Sequence, residues 1–234
     1  MRYIYLLIVF CCFSCNNERV LHLPEIENAK VTEVLDVSPA YLFYDETQPD
    51  STLLNRKNLI ITTNWLVNVD KRLTLKQAIP HIKFLQDKKR NAEMHKNEDA
   101  KNYFTCNDTR IENLGFLEFT DVIFELSEPI DHSIDLKNLV SEKLKNQSTL
   151  TNHFLEIPIE INNTTKNKIQ LEIQSYIELL TLSASISEEM VIKGYTFNLY
   201  WDENMSFQDY ITVKSKLSKI ESDKIIIDNN EFIY

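Results

Sequence analysis

Apolar residues alternate over residues 58–69 (NLIITTNWLVNV), where Leu59, Ile61, Trp65, Val67 and Val69 share one face. A period of two predicts a core-facing strand, with Asp70 and Lys71 at its exit. The period then lengthens. Leu75, Ala78, Ile79, Ile82 and Leu85 form one stripe of a helix over residues 75–89, capped by Thr74. Pro80 falls inside it and either kinks the helix or opens its regular part. Residues 88–101 carry almost no apolar periodicity and predict a solvated loop or frayed helix end. Strand patterns return at 103–106 and at 116–126 (FLEFTDVIFEL), the latter apolar on both sides, as in a central strand.

Further along, residues 133–146 predict a short amphipathic helix with Leu136, Leu139, Val140 and Leu144 inward. Residues 154–161 place Leu155, Ile157, Ile159 and Ile161 on one face and Glu156 and Glu160 on the other, and Pro158 confines that strand to an edge. Beyond a polar turn at 162–167, residues 169–180 (IQLEIQSYIELL) show more period two than period 3.6, which predicts the second arm of a hairpin. Residues 191–201 read as another strand. Ser206 caps a helix over 207–219 whose stripe is Phe207, Tyr210, Ile211, Lys214 and Leu217, and residues 224–228 and 231–234 supply paired terminal strand material.

The fold class is therefore α+β: a strand-rich body with about three capped amphipathic helices packed on mixed or antiparallel sheet. Residues 15–52, with Pro24, Pro39 and Pro49, read as a tether and edge segment; 53–147 and 148–234 read as two strand–helix lobes, sharing one core or standing apart. Three stretches share a cap followed by the same apolar and polar order: Thr74-Leu-Lys-Gln-Ala-Ile79, Asp135-Leu-Lys-Asn-Leu-Val140 and Ser206-Phe-Gln-Asp-Tyr-Ile211. Each follows an acidic residue at a strand end or turn, Asp70, Asp131 or Asp202. Duplication and independent convergence on good capping chemistry both account for this.

At the N-terminus, Arg2 precedes the uncharged run Tyr3 to Phe13, which has the form of a secretory leader in residues 1–14. As a helix that run reaches roughly 16 Å, far short of the ~30 Å hydrocarbon core. It ends in Cys12-Phe13-Ser14-Cys15, which resembles the lipobox of bacterial lipoproteins: Ser14 is the small residue before the cysteine, and Cys12 stands where leucine is usual. The resemblance implies that Cys15 is acylated and becomes the mature N-terminus, on a membrane of the bacterial cell envelope. Two or three acyl chains, at about 0.8 kcal/mol per buried methylene, anchor firmly.

Charge and composition narrow the partners. Lys and Arg number 25 against 35 Asp and Glu, a net charge of −10, which disfavours nucleic acid as a partner. With only two glycines, Gly115 and Gly194, no glycine-rich phosphate loop can form, and no cofactor is called for. Outside the leader region the only cysteine is Cys106, a packed thiol or, with His81, His95, His132 or His153 nearby, a nucleophile. Asp108 and Asp121 are either turn and surface residues or a carboxylate pair. His81 and His95 with Glu93, Glu98 and Asp99 have ligand chemistry without the i, i+4 spacing of a helical metal site.

In pattern, residues 67–85 and 200–227 also resemble the periplasmic domain of the ExbD/TolR biopolymer-transport family, in which a strand ends in an acidic turn and a capped helix follows. That family carries a transmembrane helix with a functional aspartate, so proton coupling does not transfer. The expected function is a non-enzymatic envelope lipoprotein that binds a protein or peptide partner, with residues such as Tyr195, Tyr200 and Trp201 forming a patch. A hydrolase or small-ligand binder and an ExbD/TolR-like accessory are the alternatives. Cys15→Ser is expected to abolish incorporation of labelled palmitate and to move the protein from the membrane to the soluble fraction.

Overall fold

The computed structural model describes residues 19–94, 97–128, 154–183, 193–220 and 222–234. Cys15 with its leader, and the predicted helix over 133–146, lie outside the described residues. In chain order the elements are β1 (Glu25–Ile26), β2 (Val37–Tyr44), β3 (Thr52–Asn55), β4 (Asn64–Val69), α1 (Leu75–Arg90), β5 (Asn102–Asp108), β6 (Asn113–Glu118), β7 (Ile123–Leu126), β8 (Phe154–Ile161), α2 (Ile169–Ser183), β9 (Gly194–Trp201), α3 (Phe207–Leu217) and β10 (Ile225–Ile233). The protein is α+β, with its helices packed on sheets.

One sheet has six strands. It runs β1-β5-β4-β2-β3, with β6 also bonded to β5; β3 and β6 are antiparallel to their neighbours and the rest are parallel. The second sheet has four parallel strands in the order β7-β10-β9-β8. In this sheet β8-α2-β9-α3-β10 is a run of two crossover units, and helices are the natural way to join parallel neighbours.

The two halves meet at the N-termini of α1 and α3. The first N–H groups of a helix have no partner within it. Thr74 closes a capping box on α1 with Gln77, and the Ser206 hydroxyl accepts from Asp209 N–H on α3. The remaining donors cross between the halves: Leu75 N–H to Met205 O at 2.9 Å, Lys76 N–H to Glu203 O at 2.8 Å, Phe207 N–H to Leu73 O at 2.7 Å and Gln208 N–H to Lys71 O at 3.2 Å. Thr74 and Ser206 are themselves bridged. These four bonds are related in pairs by exchange of the two capping turns, so two of the three predicted capped stretches are equivalent in space as well as in sequence. The third, at Asp135, lies outside the described residues.

A single contiguous core joins both sheets. Tyr210 of α3 packs on Phe104 of β5, Phe124 of β7, Trp201 of β9 and Phe207, which ties the first sheet to the second through one ring. Lys214, the one charge on the α3 stripe, forms an ion pair with the fully buried Glu231 of β10. Gly194 is required by a close approach: a Cβ there would lie 2.2 Å from Lys224 O, which accepts the neighbouring Tyr195 N–H.

Several expected elements are corrected. Residues 169–180 are not a hairpin arm; they lie within the helix α2, which presents Ile169, Ile173 and Tyr176 to the sheet at helical spacing, with Tyr176 against Tyr195 and Phe197. The strand that pairs with β8 is the parallel β9, and β8 with Pro158 is an edge strand as expected. Residues 116–126 are two strands in different sheets, split by a turn in which Val122 N–H donates to Phe119 O. The strand expected at 58–69 begins only at Asn64, because Ile60 O accepts from Thr63 N–H and the Trp65 indole in a turn. Within the segment 15–52, β2 is no tether; it lies between β3 and β4. Helix α1 runs through Pro80.

Removing one partner of a buried ion pair leaves the other charge unpaired. Glu231→Ala is expected to destabilise the protein by about 3–5 kcal/mol in urea denaturation, and the double variant Glu231→Leu, Lys214→Met to recover most of that loss.

Candidate functional site

The C-terminal half of α1 is pinned beside β7 by side-chain donors. Gln86 Nε2 donates to Phe119 O and Val122 O, and Arg90 Nη2 donates to Val122 O at 2.7 Å. These bonds hold the turn after β6, so that β7 runs along the helix. On α1 the stripe next to the buried one carries Pro80, Lys83, Phe84 and Asp87, at the i, i+3 and i+4 spacings of one helix face. On β7, Phe124 and Leu126 share a face by the alternation of a strand.

Between them lies a groove of about 310 Å³ floored by Ile79, Pro80 and Phe124 and walled by Phe84 and Leu126. Phe84 is 45% exposed and Leu126 is 82% exposed. A single exposed apolar side chain is ordinary, but here two flank one apolar groove and form a patch with its floor. The Arg56 guanidinium lies over the Phe84 ring at 4.7 Å and keeps it in place at the rim. Lys83, Asp87 and Glu125 complete the margin. β7 is also a sheet edge: it pairs with β10 on one side and, among the described residues, with no strand on the other. The backbone groups on the side of β7 without a strand partner among the described residues lie alongside the apolar groove.

The equivalent position on α3 has gone the other way. There a concavity of about 510 Å³ next to β1 is lined by Glu25, Glu27, Gln208, Thr212, Lys216 and Lys219 among others. Counted from the cap, Thr212 and Lys216 replace Pro80 and Phe84. Polar groups bond to one another along its margin: Gln208 accepts from Glu25 N–H and donates to Glu25 O, Lys71 pairs with Glu25, and Lys219 Nζ donates to Glu27 O. The lining of the groove on α1 is instead mainly apolar.

The residues expected to carry chemistry are engaged elsewhere. Cys106 is fully buried in β5 and its thiol is pushed up to about 12 by burial, then by the nearby Asp108, so no thiolate nucleophile is present at neutral pH. Asp108 is also fully buried. Burial alone would raise its pKa, but the N–H groups of Ala29, Arg110, Asn28 and Ile111, at 2.6 to 3.4 Å, hold the carboxyl below the usual range. It fastens the chain after β1 to the turn after β5. Asp121 is exposed in the turn before β7 and forms no pair with Asp108.

His81 lies with Nε2 at 2.9 Å from Thr52 Oγ1 and 3.7 Å from Asp50, while the Thr52 hydroxyl donates to Asp50. The carboxylate thus holds the hydroxyl rather than orienting the imidazole, which is not the order a nucleophile needs. Glu93, Glu98 and Asp99 are exposed, His95, His132 and His153 lie outside the described residues, and no metal-holding group of three or more His, Cys, Asp or Glu occurs among the described residues. The expected aromatic patch is divided by strand alternation: Tyr195 and Trp201 are buried and only Tyr200 is on the outer face. The groove itself was not anticipated from sequence. Its signal was Phe84, an aromatic one position off the buried stripe, beside Pro80.

Comparison with protein-family models, curated proteins and solved structures finds no match to this chain.

The Asp108 bonds give a pH dependence. A carboxyl whose native pKa is depressed contributes stability that is present above the unfolded value of about 3.9 and is lost as pH falls through the native value. Urea denaturation between pH 5 and pH 2 is therefore expected to show a fall in stability that is smaller in Asp108→Asn. Because its side chain is almost wholly exposed, Leu126→Ala is expected to change stability by no more than about 0.5 kcal/mol in urea denaturation.

Proposed function

We propose that this protein is a lipid-anchored, non-enzymatic binding module of the bacterial cell envelope, which takes an extended peptide segment of a protein partner along the free edge of β7. The observation that carries this reading is the coincidence of an apolar groove with a strand edge that has no strand partner among the described residues. A peptide added as a further strand would satisfy the outer N–H and C=O groups of β7, and its alternate side chains would enter the groove over Ile79, Pro80 and Phe124. Backbone bonds of this kind supply affinity with little sequence preference; the groove supplies selection for apolar residues at every second position. The rim, with two carboxylates and one ammonium, favours a segment carrying a basic residue beside the apolar ones. Anchorage through Cys15 would confine the search to partners in or at the same membrane, where a modest intrinsic affinity suffices.

The test uses the anchored protein in intact cells. With a photo-crosslinking phenylalanine analogue at Leu126, irradiation is expected to yield one dominant protein adduct, reduced at least fivefold when Phe84→Asp is added. The same analogue at Leu114, exposed on β6 and no part of the groove lining, should not give that adduct. An adduct pattern indifferent to Phe84, or shared with Leu114, would rule the groove out as a docking site.

A further inference from the structure

The two sheets share one plan. The first runs β1-β5-β4-β2 and the second β7-β10-β9-β8, with every neighbouring pair in these two runs parallel, so β1 stands in the first sheet where β7 stands in the second. Helices α1 and α3 also correspond, cap on cap. The concavity of about 510 Å³ between α3 and β1 is therefore the counterpart of the apolar groove between α1 and β7. Counted from Thr74 and Ser206, however, Thr212, Ser215, Lys216 and Lys219 stand where α1 carries Pro80, Lys83, Phe84 and Asp87. The scaffold forms a cleft twice, and the second one is polar.

Its walls are fixed by bonds that leave other groups unused. Gln208 is bonded to both backbone groups of Glu25 and to Thr212 Oγ1, the Glu25 carboxylate takes Lys71, and Lys219 Nζ donates to Glu27 O at 2.6 Å. A cleft held in this way needs little reorganisation to receive a ligand. Four residues that line it carry a group with no hydrogen-bond or ionic partner among the described residues: the Lys216 ammonium, the Glu27 carboxylate, the Gln170 amide and the Ser215 hydroxyl. Ser215 is only 5% exposed, and a polar group so nearly buried calls for a partner. Charge is also separated across the cleft. Lys216 and Lys219 lie one turn apart on the helix wall, and Glu25 and Glu27 lie on the strand wall. An anion alone meets the strand carboxylates and a cation alone meets the lysines, whereas a ligand that carries both charges is favoured at both ends.

We infer that this cleft binds a free amino acid or short peptide in its zwitterionic form, with the ligand carboxylate on Lys216 and Ser215 and the ligand ammonium on Glu27. The Gln170 amide, which both donates and accepts, suits a peptide group between the two ends. A volume of about 510 Å³ lies within the usual range of small-ligand sites. The site is independent of the proposed groove on α1: the groove selects apolar side chains within an extended segment, and this cleft reads the charges of free chain ends.

The intact, isotope-labelled protein is titrated with L-alanyl-L-alanine, with its N-acetyl derivative and with its C-terminal amide, and amide signals are followed by NMR. The free dipeptide is expected to shift the signals of Gln170, Ser215 and Lys216 and to saturate in the millimolar range, with each blocked probe binding about fivefold more weakly. In Lys216→Ala the free dipeptide and its amide should bind equally, and in Glu27→Ala the free dipeptide and its N-acetyl derivative should. Neither side chain makes a polar bond within the described chain, so both truncations test the site rather than the fold. Equal binding of all three probes by the unaltered protein, the absence of a saturable shift, or shifts centred on Phe84 and Leu126 would overturn the inference. Titration reads the cleft on α3 and crosslinking at Leu126 reads the groove on α1, so failure of one is distinguishable from failure of the other.

Discussion

The four backbone hydrogen bonds exchanged between the capping turns of α1 and α3 are the constraint on which the architecture depends. Helix N-termini leave donors that must be satisfied, and burying them without partners costs on the order of 1–3 kcal/mol each. Here each turn supplies carbonyls to the other helix, Met205 and Glu203 to α1, Leu73 and Lys71 to α3. Each helix start is therefore completed by carbonyls from the other half of the chain. The acidic residues before the caps support the same joint from within: Asp70 accepts from Arg72, both backbone and guanidinium, and Asp202 accepts from Asn204.

From that joint the rest of the packing follows. With the two helix starts fixed face to face, Tyr210 is brought against rings from both sheets, and β7 leaves the first half of the chain to become the edge of the second sheet. The near-equivalence of the halves also makes their differences informative. At matching positions α3 carries Thr212 and Lys216, which belong to a concavity lined mainly by polar residues, whereas α1 carries Pro80 and Phe84, which floor and wall an apolar groove.

Much of the scaffold was legible in the sequence because its signals are local. The Thr74 and Ser206 caps, the stripe from Leu75 to Leu85 and the alternation from Leu155 to Ile161 each depend only on near neighbours, and each is present in the structure. What failed was non-local. Residues 169–180 have apolar side chains on both periods, and only the parallel pairing of β8 with β9 decides for a helix. Residues 116–126 look continuous because both halves are apolar, yet they serve different sheets. The groove was illegible for the same reason: Phe84 and Leu126 are far apart in sequence and become neighbours only when Gln86 and Arg90 hold the turn before β7. Lys214 was visible as a charge on an apolar stripe, but its partner Glu231 was not.

The exchange of β7 into the second sheet has a consequence for how the chain reaches its native state. Ile123 and Leu126 find their partners Asn230 and Ile233 only across a long stretch of intervening chain, and parallel pairings of such separation close slowly because the loop entropy precedes the reward. A nascent chain therefore carries an unfinished second sheet until β10 has been made, while every strand of the first sheet is already present by Glu118.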